Sequence, residues 1–196
     1  MTPEAIKRLA ELLSKLPSLG PRQATRLSFY LAGLSKDEVT ELADAVQAVA
    51  SIKRCINCFS LSAQKDSLCE ICSNPRRDES IVAIVEKETD MQTLEKTKAL
   101  NGRYLILGQL PKDGILSSDQ KRRLERLKTL APKGQYEEVI IALSPTTYGD
   151  LNASLINHEL RTIAKKITRL GRGIPTGAEI EFADEETLQG ALKNRS

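Results

Sequence analysis

All four cysteines of this 196-residue chain lie in one short segment, as Cys55-x-x-Cys58 and Cys69-x-x-Cys72. Each pair has the spacing with which one tight backbone knuckle presents two thiolates to a single metal ion. Four thiolates suit tetrahedral zinc, and so short a segment has almost no apolar core, so metal binding must replace the missing burial. We therefore predict one closed, structural zinc site per chain at these four cysteines.

Redox chemistry or free thiols are the alternative interpretation of the cysteines. A dithiol enzyme normally needs one CxxC pair at the start of a helix, whereas two neighbouring pairs saturate a metal and leave no open position for catalysis. Four cysteines are also few for a secreted disulfide scaffold of this length. The pattern therefore favours a structural metal site, which stabilises the fold of the segment, rather than a reactive one.

The composition is that of a globular protein, with 40% hydrophobic residues and a net charge of +3. This charge is too small to establish a nucleic-acid partner, but Lys and Arg are clustered, which allows local basic patches. No stretch approaches the ~20 apolar residues that span a bilayer, and Glu4 and Glu11 interrupt the layout of a secretory signal. We expect a cytoplasmic protein, associated with the nucleoid if it binds DNA.

Two kinds of periodicity divide the rest of the chain. The first part has apolar residues at helical spacing and predicts three helices. The first helix starts at Thr2 and Pro3 and breaks over Leu16–Pro21. The second helix ends at Gly33, and a capping box of Ser35 with Glu38 starts the third. After the cysteines, strands alternate with helices, which predicts a parallel sheet covered by helices. The predicted strands are Ile81–Val85, Tyr104–Leu107, Val139–Leu143 and Ile167–Leu170, the helices between them cover residues 90–98, 120–130 and 150–166, and Asp184 starts a last helix.

The turn before the second helix is the first candidate for DNA contact. It leaves backbone N–H groups near the helix start, and Arg22 and Arg26 lie one turn apart there, where they can flank a phosphate without reading bases. The segment resembles the helix-hairpin-helix motif of DNA-binding proteins, with Ser18 where that motif usually has glycine. The alternative is an ordinary helical hairpin, since the Leu and Ala residues would serve a core equally well.

Acidic residues follow two of the predicted strands, so both should lie at the carboxyl edge of the sheet, where the strands end. Glu86 follows the first strand, and the segment from Ser144 to Asp150 follows the third. This arrangement resembles the Toprim domain, whose catalytic members hold magnesium with an additional DxD pair. Here that pair reads Tyr148-Gly149-Asp150, with one carboxylate. We expect a Toprim fold that contacts proteins, while a magnesium-dependent nuclease or primase is the competing interpretation.

The order of these modules, together with residues 168–184, TRLGRGIPTGAEIEFAD, resembles the RecR family of recombination mediators over nearly the whole chain. The resemblance implies a multi-module α/β fold: a helix-hairpin-helix module over 1–53, a four-cysteine zinc finger over 54–76, a Toprim-like domain over 77–170 and a C-terminal Walker B-like, oligomerisation segment over 171–196. It also implies a ring-like tetramer that encloses DNA, works with RecO and sometimes RecF, and helps to load recombinase on single-stranded DNA.

The same resemblance assigns roles to individual residues. It implies zinc binding by Cys55, Cys58, Cys69 and Cys72, DNA contact inside the ring by Arg22 and Arg26, and RecO contact by Glu86, Thr146, Tyr148 and Asp150. The tail from Ile180 to Asp184 resembles a Walker B segment, but the sequence contains no GxxxxGK[ST] loop. We therefore expect no ATP hydrolysis by this chain alone and no catalytic residues. A third hypothesis is a zinc-ribbon interaction protein without DNA function.

Three further groups of residues have more than one interpretation. The basic series of the predicted helix 120–130 is either a solvated face or a secondary DNA contact; it comprises Lys121, Arg122, Arg123, Arg126 and Lys128. Arg169 and Arg172 either contact phosphate or hold a neighbouring subunit. His158 lies within a predicted helix without an obvious nucleophile or acidic partner, and we expect a structural or surface role for it.

Overall fold

The computed structural model describes residues 2–64 and 67–195. The chain divides into two compact units, Met1–Ile52 and Lys53–Ser196. Within the described residues, no helix combines the length and the apolar character that crossing a bilayer requires.

The first unit consists of three helices, as the sequence predicts: α1 (Glu4–Leu13), α2 (Pro21–Ala32) and α3 (Lys36–Ala50). The helices α1 and α2 pack against each other. The predicted capping box begins α3, where the Glu38 amide donates to Ser35 Oγ at 3.3 Å and the Ser35 amide donates to Glu38 Oε2 at 2.9 Å. All three predicted helices are confirmed.

The boundaries of α1 differ from the prediction at both ends. Pro3 instead of Thr2 occupies the N-cap position, and no side chain caps the helix. The helix also ends at Leu13, three residues before Leu16. The chain leaves the helix early because it must turn back over residues 14–20 for α2 to reach α1, and helix ends are set by such connections as much as by periodicity.

The second unit begins with the cysteine module. A short antiparallel pair, β1 (Lys53–Arg54) and β2 (Leu61–Ser62), encloses the first CxxC pair, and the four-residue helix α4 (Glu70–Ser73) carries part of the second pair. Cys69 is the N-cap of α4 and Cys72 lies within it. Local turns therefore carry all four thiols, as the CxxC spacing predicts.

The sheet of this unit contains four parallel strands in the order β4-β3-β5-β6. The strands are β3 (Ile81–Val85), β4 (Arg103–Ile106), β5 (Tyr136–Ile141) and β6 (Ala164–Arg169). All four correspond to predicted strands, and the parallel sheet is confirmed.

The helices cover both faces of the sheet. They are α5 (Glu88–Thr97), α6 (Ser118–Thr129) and α7 (Thr147–Leu160), and a further helix, α8 (Glu185–Lys193), lies in the tail. Successive residues of a strand point to opposite faces, so Ile84 packs with α6 and α7 while Val85 packs with α5. The fold is the predicted multi-module α/β architecture, with the carboxyl ends of the strands along one edge.

One predicted element was wrong in its extent. We predict a helix over 150–166, but α7 ends at Leu160 and the chain already forms β6 from Ala164. Tyr136 of β5 pairs with Ala164, and Glu138 pairs with Lys166. Strand pairing with a distant segment outweighs the helical propensity of Ala and Lys there.

Candidate functional site

The four cysteines come together as a closed cluster. Their sulfurs all lie within 4.8 Å of one another, every one of these residues is buried, and none forms a disulfide. Metal–sulfur bonds of about 2.3 Å in a tetrahedron separate the sulfurs by roughly 3.8 Å, and the sulfurs of Cys58 and Cys69 lie 3.4 Å apart. The cluster can hold one metal ion, and within residues 2–64 and 67–195 no other group of three His, Cys, Asp or Glu side chains is placed to do so.

Backbone hydrogen bonds shape the first knuckle around the site. The Phe59 amide donates to the Cys55 carbonyl at 3.0 Å and the Cys55 amide donates to the Ser60 carbonyl at 2.8 Å. Phe59 has a φ of 63°, the left-handed conformation with which such a turn closes. The Ile106 amide donates to the Cys58 carbonyl at 2.8 Å, so the knuckle is also bonded to the end of β4.

The electrostatics of the cluster favour a cation at its centre. Hydrogen bonds from Cys58, Cys69 and Cys72 hold the pKa of Cys55 far below its usual range, whereas hydrogen bonds with Cys55, Cys58 and Cys69 raise the pKa of Cys72. Thiols this close cannot all ionise on their own, because each thiolate disfavours the next. A bound divalent metal reverses this and deprotonates the coordinating thiols.

Arg22 and Arg26 lie side by side on the exposed surface of α2, one turn apart as predicted. Within the described residues, neither guanidinium forms an ion pair. The helix begins after Gly20 without a side-chain cap and has no acidic residue in its first turn. Pro21 has no N–H and the Ala24 amide donates to the Gly20 carbonyl, so the amides of Arg22 and Gln23 are the ones available to an anion. Ser18 adopts a φ of 63°, the left-handed conformation that glycine would otherwise supply.

The structure brings Glu86 and the segment 144–150 to the same carboxyl edge, because β3 and β5 are neighbouring parallel strands. Glu86 follows β3, and its Oε1 accepts a hydrogen bond from the Leu110 amide at 3.3 Å. Thr146 is the N-cap of α7, with its Oγ1 accepting from the Gly149 amide at 3.1 Å. Tyr148 is 46% exposed beside it. Thr146 thus has a structural role in addition to any contact with a partner.

Gly149, in the first turn of α7, lies very close to the backbone of Ser144. A Cβ at this position would lie 1.9 Å from the carbonyl oxygen of Ser144. No real side chain fits at that distance, so any larger residue forces the backbone of Ser144 or of α7 to move. The close approach fixes the geometry of the Tyr148-Gly149-Asp150 segment.

Asp150 is held by two arginines, Arg169 and Arg172. Their guanidinium groups hold the pKa of the Asp150 carboxyl below its usual range, and Arg172 has the larger effect. The single carboxylate at the position of the Toprim pair is therefore already neutralised by cations. This arrangement suits a structural ion-pair network better than the coordination of magnesium, which needs free carboxylate oxygens.

We predict that Asp150→Asn has a small effect on stability that disappears in acid. Because the folded-state pKa of Asp150 is depressed, its contribution is present above the unfolded-state pKa of ~3.9 and is lost as pH falls through the lower, folded value. The side chain is 36% exposed, so solvent screening limits the loss at neutral pH to less than about 1 kcal/mol. Urea unfolding at pH 7 and pH 3 measures both values, and an equal loss at the two pH values would contradict the prediction.

The C-terminal segment contacts this network through Arg172. The Arg172 guanidinium also pairs with Glu186 of α8, and the Arg172 carbonyl accepts from Asn194 Nδ2 at 3.0 Å. Asp184 caps α8 as predicted, accepting from the Thr187 amide at 2.8 Å. No sequence pattern pointed to Glu186 as the partner of Arg172. In this chain Arg169 and Arg172 make internal contacts, in addition to either of the two roles predicted for them.

Lys121 and Arg122 of α6 are exposed, as a solvated face requires, whereas the other basic residues of this helix are engaged within the chain. Arg123 is 8% exposed and pairs with Asp119, Arg126 Nη2 donates to Asn57 Oδ1 at 2.7 Å, and Lys128 pairs with two glutamates. Phe59 lies against this helix. The spacing of Asp119 and Arg123 by four residues was the available signal. His158 is exposed on α7, in agreement with a surface role.

Comparison with known proteins identifies three parts of the chain. Family models match as "RecR, helix-hairpin-helix" over residues 6–50, "Toprim domain" over 80–171 and "RecR, C-terminal" over 173–196. The chain is 40% identical to Recombination protein RecR of Clostridium perfringens, covering 99% of this chain and 97% of the relative. It is 37% identical to the protein of that name from Finegoldia magna (98% and 96% covered) and 36% identical to that of Dehalococcoides mccartyi (99% and 95%). The chain therefore belongs to the RecR family, and its role lies in DNA recombination and repair.

Proposed function

We propose that this protein is a DNA-binding recombination mediator that acts as an oligomeric clamp and is not itself an enzyme. The observation that carries the proposal is the pair of exposed guanidinium groups of Arg22 and Arg26, which form no ion pair with any residue that the structure describes, at the uncapped start of α2. Two fixed cations and free backbone N–H groups bind phosphates of any sequence. The chain has no tryptophan, 4 tyrosines and 3 phenylalanines, so electrostatics should outweigh base stacking.

A clamp requires more than one copy of the chain, and α3 supports this part of the proposal. None of its residues is buried, although Val39, Leu42, Val46 and Val49 recur on one face at intervals of three and four. Exposed apolar stripes of this kind mark interaction surfaces. We infer that α3 packs against a second copy, as the first step towards the ring-like tetramer that encloses DNA.

The carboxyl edge of the sheet is the proposed contact for RecO and, in some assemblies, RecF. Glu86 and Asp150 place acidic groups there, Thr146 shapes the loop, and Tyr148 presents a half-exposed aromatic ring. Aromatic residues are enriched at protein interfaces because they combine a large apolar area with a polar atom. In this proposal the clamp and its partners load recombinase on single-stranded DNA at the nucleoid.

Zinc is the metal that we propose for the cysteine cluster, with one structural ion per chain. The four cysteines Cys55, Cys58, Cys69 and Cys72 are buried thiols with no position open to substrate, and soft thiolate ligands in a tetrahedron select zinc. The ion would supply folding free energy to a module whose described residues form just two short strands and a four-residue helix.

The test is DNA binding across a salt series, with wild type compared with Arg22→Ala/Arg26→Ala. Each phosphate contact contributes ~0.9 to the slope of log K against log salt, so we expect the variant to lose about two units of slope and at least tenfold in affinity. Arg8→Ala/Lys36→Ala is the matched control, because it removes the same charge from α1 and α3.

Magnesium and a check of DNA length in the same samples separate the competing functions. Intact DNA and a lowered slope in the variant support the clamp. Wild-type binding in the variant would favour an interaction protein without this DNA surface, and DNA shortened only when Glu86 is intact, tested with Glu86→Gln, would favour a Toprim enzyme.

A further inference from the structure

Phe59 connects the cysteine module to α6 through two arginines. The Cζ atom of Arg123 lies 5.1 Å from the centroid of the Phe59 ring, and that of Arg122 lies 5.4 Å from it. Phe59 is 6% exposed and occupies the turn next to Cys58. The direction of its ring therefore follows from the knuckle that closes around the metal-binding thiols.

Arg123 extends this connection to the end of β4. Its Nη1 donates to the Ile106 carbonyl at 2.8 Å in a buried contact, while Asp119 holds its Nε at 2.8 Å. Gly108 has a φ of 91° and lies directly over the guanidinium, since a Cβ built there would be 3.7 Å from Nη1. One buried cation thus touches the aromatic ring of the module and the first residues after β4.

The segment that follows β4, residues 107–116, is bonded to the same elements. Gln120 of α6 is buried and donates from Nε2 to the Gln109 carbonyl at 2.9 Å. The Leu110 amide donates to Glu86 Oε1 at 3.3 Å, and the Gly108 amide donates to the Glu86 carbonyl at 2.9 Å. We call residues 107–116 the edge loop, because it forms part of the carboxyl edge beside Glu86.

We propose that Phe59 and Arg123 are positioning residues through which metal binding in the cysteine module affects the conformation of the edge loop. When the metal orders the knuckle, the Phe59 ring holds Arg123 against Ile106 and Gly108, and the edge loop keeps its bonds to Glu86. Without the metal the ring loses its fixed direction, and the edge loop opens more often. The metal then controls the shape of a surface whose residues lie far from the thiols in sequence.

The backbone bond between the Ile106 amide and the Cys58 carbonyl is a second link between the module and β4. The contribution of the Phe59–Arg123 contact can be separated from that of this backbone bond, because a substitution at Phe59 removes the ring and leaves the backbone bond in place. Phe59→Leu keeps apolar bulk and removes the interaction of the guanidinium with an aromatic face. Phe59→Tyr keeps the ring and is the conservative variant.

The experiment is amide hydrogen exchange of the full-length, zinc-loaded protein, before and after chelation, in wild type, Phe59→Leu and Phe59→Tyr. We expect chelation to accelerate exchange at Gly108 and Leu110 by about tenfold or more in wild type and in Phe59→Tyr. In Phe59→Leu these amides should already exchange at least about tenfold faster with zinc bound. The amides of β6 should remain protected in every sample.

Three results would overturn the proposal. One is unchanged exchange of the edge loop in chelated wild type. Another is zinc-loaded Phe59→Leu with wild-type protection at Gly108 and Leu110. The third is loss of protection throughout residues 53–195 on chelation, because the metal would then stabilise the whole unit without a specific route to the edge loop. None of these measurements requires DNA or a protein partner.

Discussion

Cys55→Ser is expected to abolish metal binding and to destabilise the cysteine module by several kcal/mol, the largest stability change that we predict. Structural zinc contributes about 10–16 kcal/mol of apparent binding free energy in small modules, and a closed site needs all four ligands. Cys55 is 1% exposed, so the three remaining thiols would be left buried without the cation that compensates them.

Zinc content per chain and thermal unfolding measure the two parts of this prediction. We expect Cys55→Ser to fall from one zinc per chain to nearly none, with a lower unfolding temperature. Ser73→Ala is the matched control, because Ser73 lies in α4 beside Cys72 but is exposed and outside the thiol cluster. A Cys55→Ser protein that keeps full zinc content and wild-type stability would show that the cluster is not a four-ligand site.

Val46→Glu combined with Val49→Glu should convert the oligomer to smaller species and lower DNA affinity by more than tenfold. These valines are 65% and 64% exposed in the single chain. If α3 packs against a second copy, each loses apolar burial that contributes about 1.5 kcal/mol or more, and a symmetric interface counts each substitution twice. A clamp that cannot close loses the affinity that depends on several phosphate contacts at once.

Thr40→Glu/Gln47→Glu is the control for charge, because it adds the same two carboxylates to α3 outside the apolar stripe. Light scattering after size exclusion gives the mass of each species, and circular dichroism shows whether α3 is retained. A folded Val46→Glu/Val49→Glu protein of unchanged mass would remove α3 from the proposed interface. The DNA affinity of that protein would then show whether oligomerisation and binding are linked.

Local chemistry made much of this protein predictable from its sequence. The capping box at Ser35 and Glu38 depends on residues three apart, and it is present as predicted. The CxxC knuckles likewise depend on short turns, and periodicity identified the helices and the four strands. The order of the modules also indicates the RecR family, because each module has its own short-range pattern.

Contacts between distant segments are what only the tertiary structure decided. Lys166 was predicted to be helical but lies in β6, because β5 offers it a strand partner. The basic series of α6 suggested an open charged face, yet Arg123 is buried between Phe59 and Ile106. Asp150 resembled part of a metal site and instead pairs with Arg169 and Arg172.

The sequence by itself therefore determined the helices and strands, the cluster of four thiols and the positions of Arg22 and Arg26 on one helical surface. It could not determine which charged side chains remain without a partner. The residue type gives the charge of a side chain, whereas the tertiary structure decides which group it pairs with. Whether a carboxylate binds a metal or an arginine depends on groups 19 and 22 residues away, as at Asp150. Such pairs form only when the sheet and the tail bring them together.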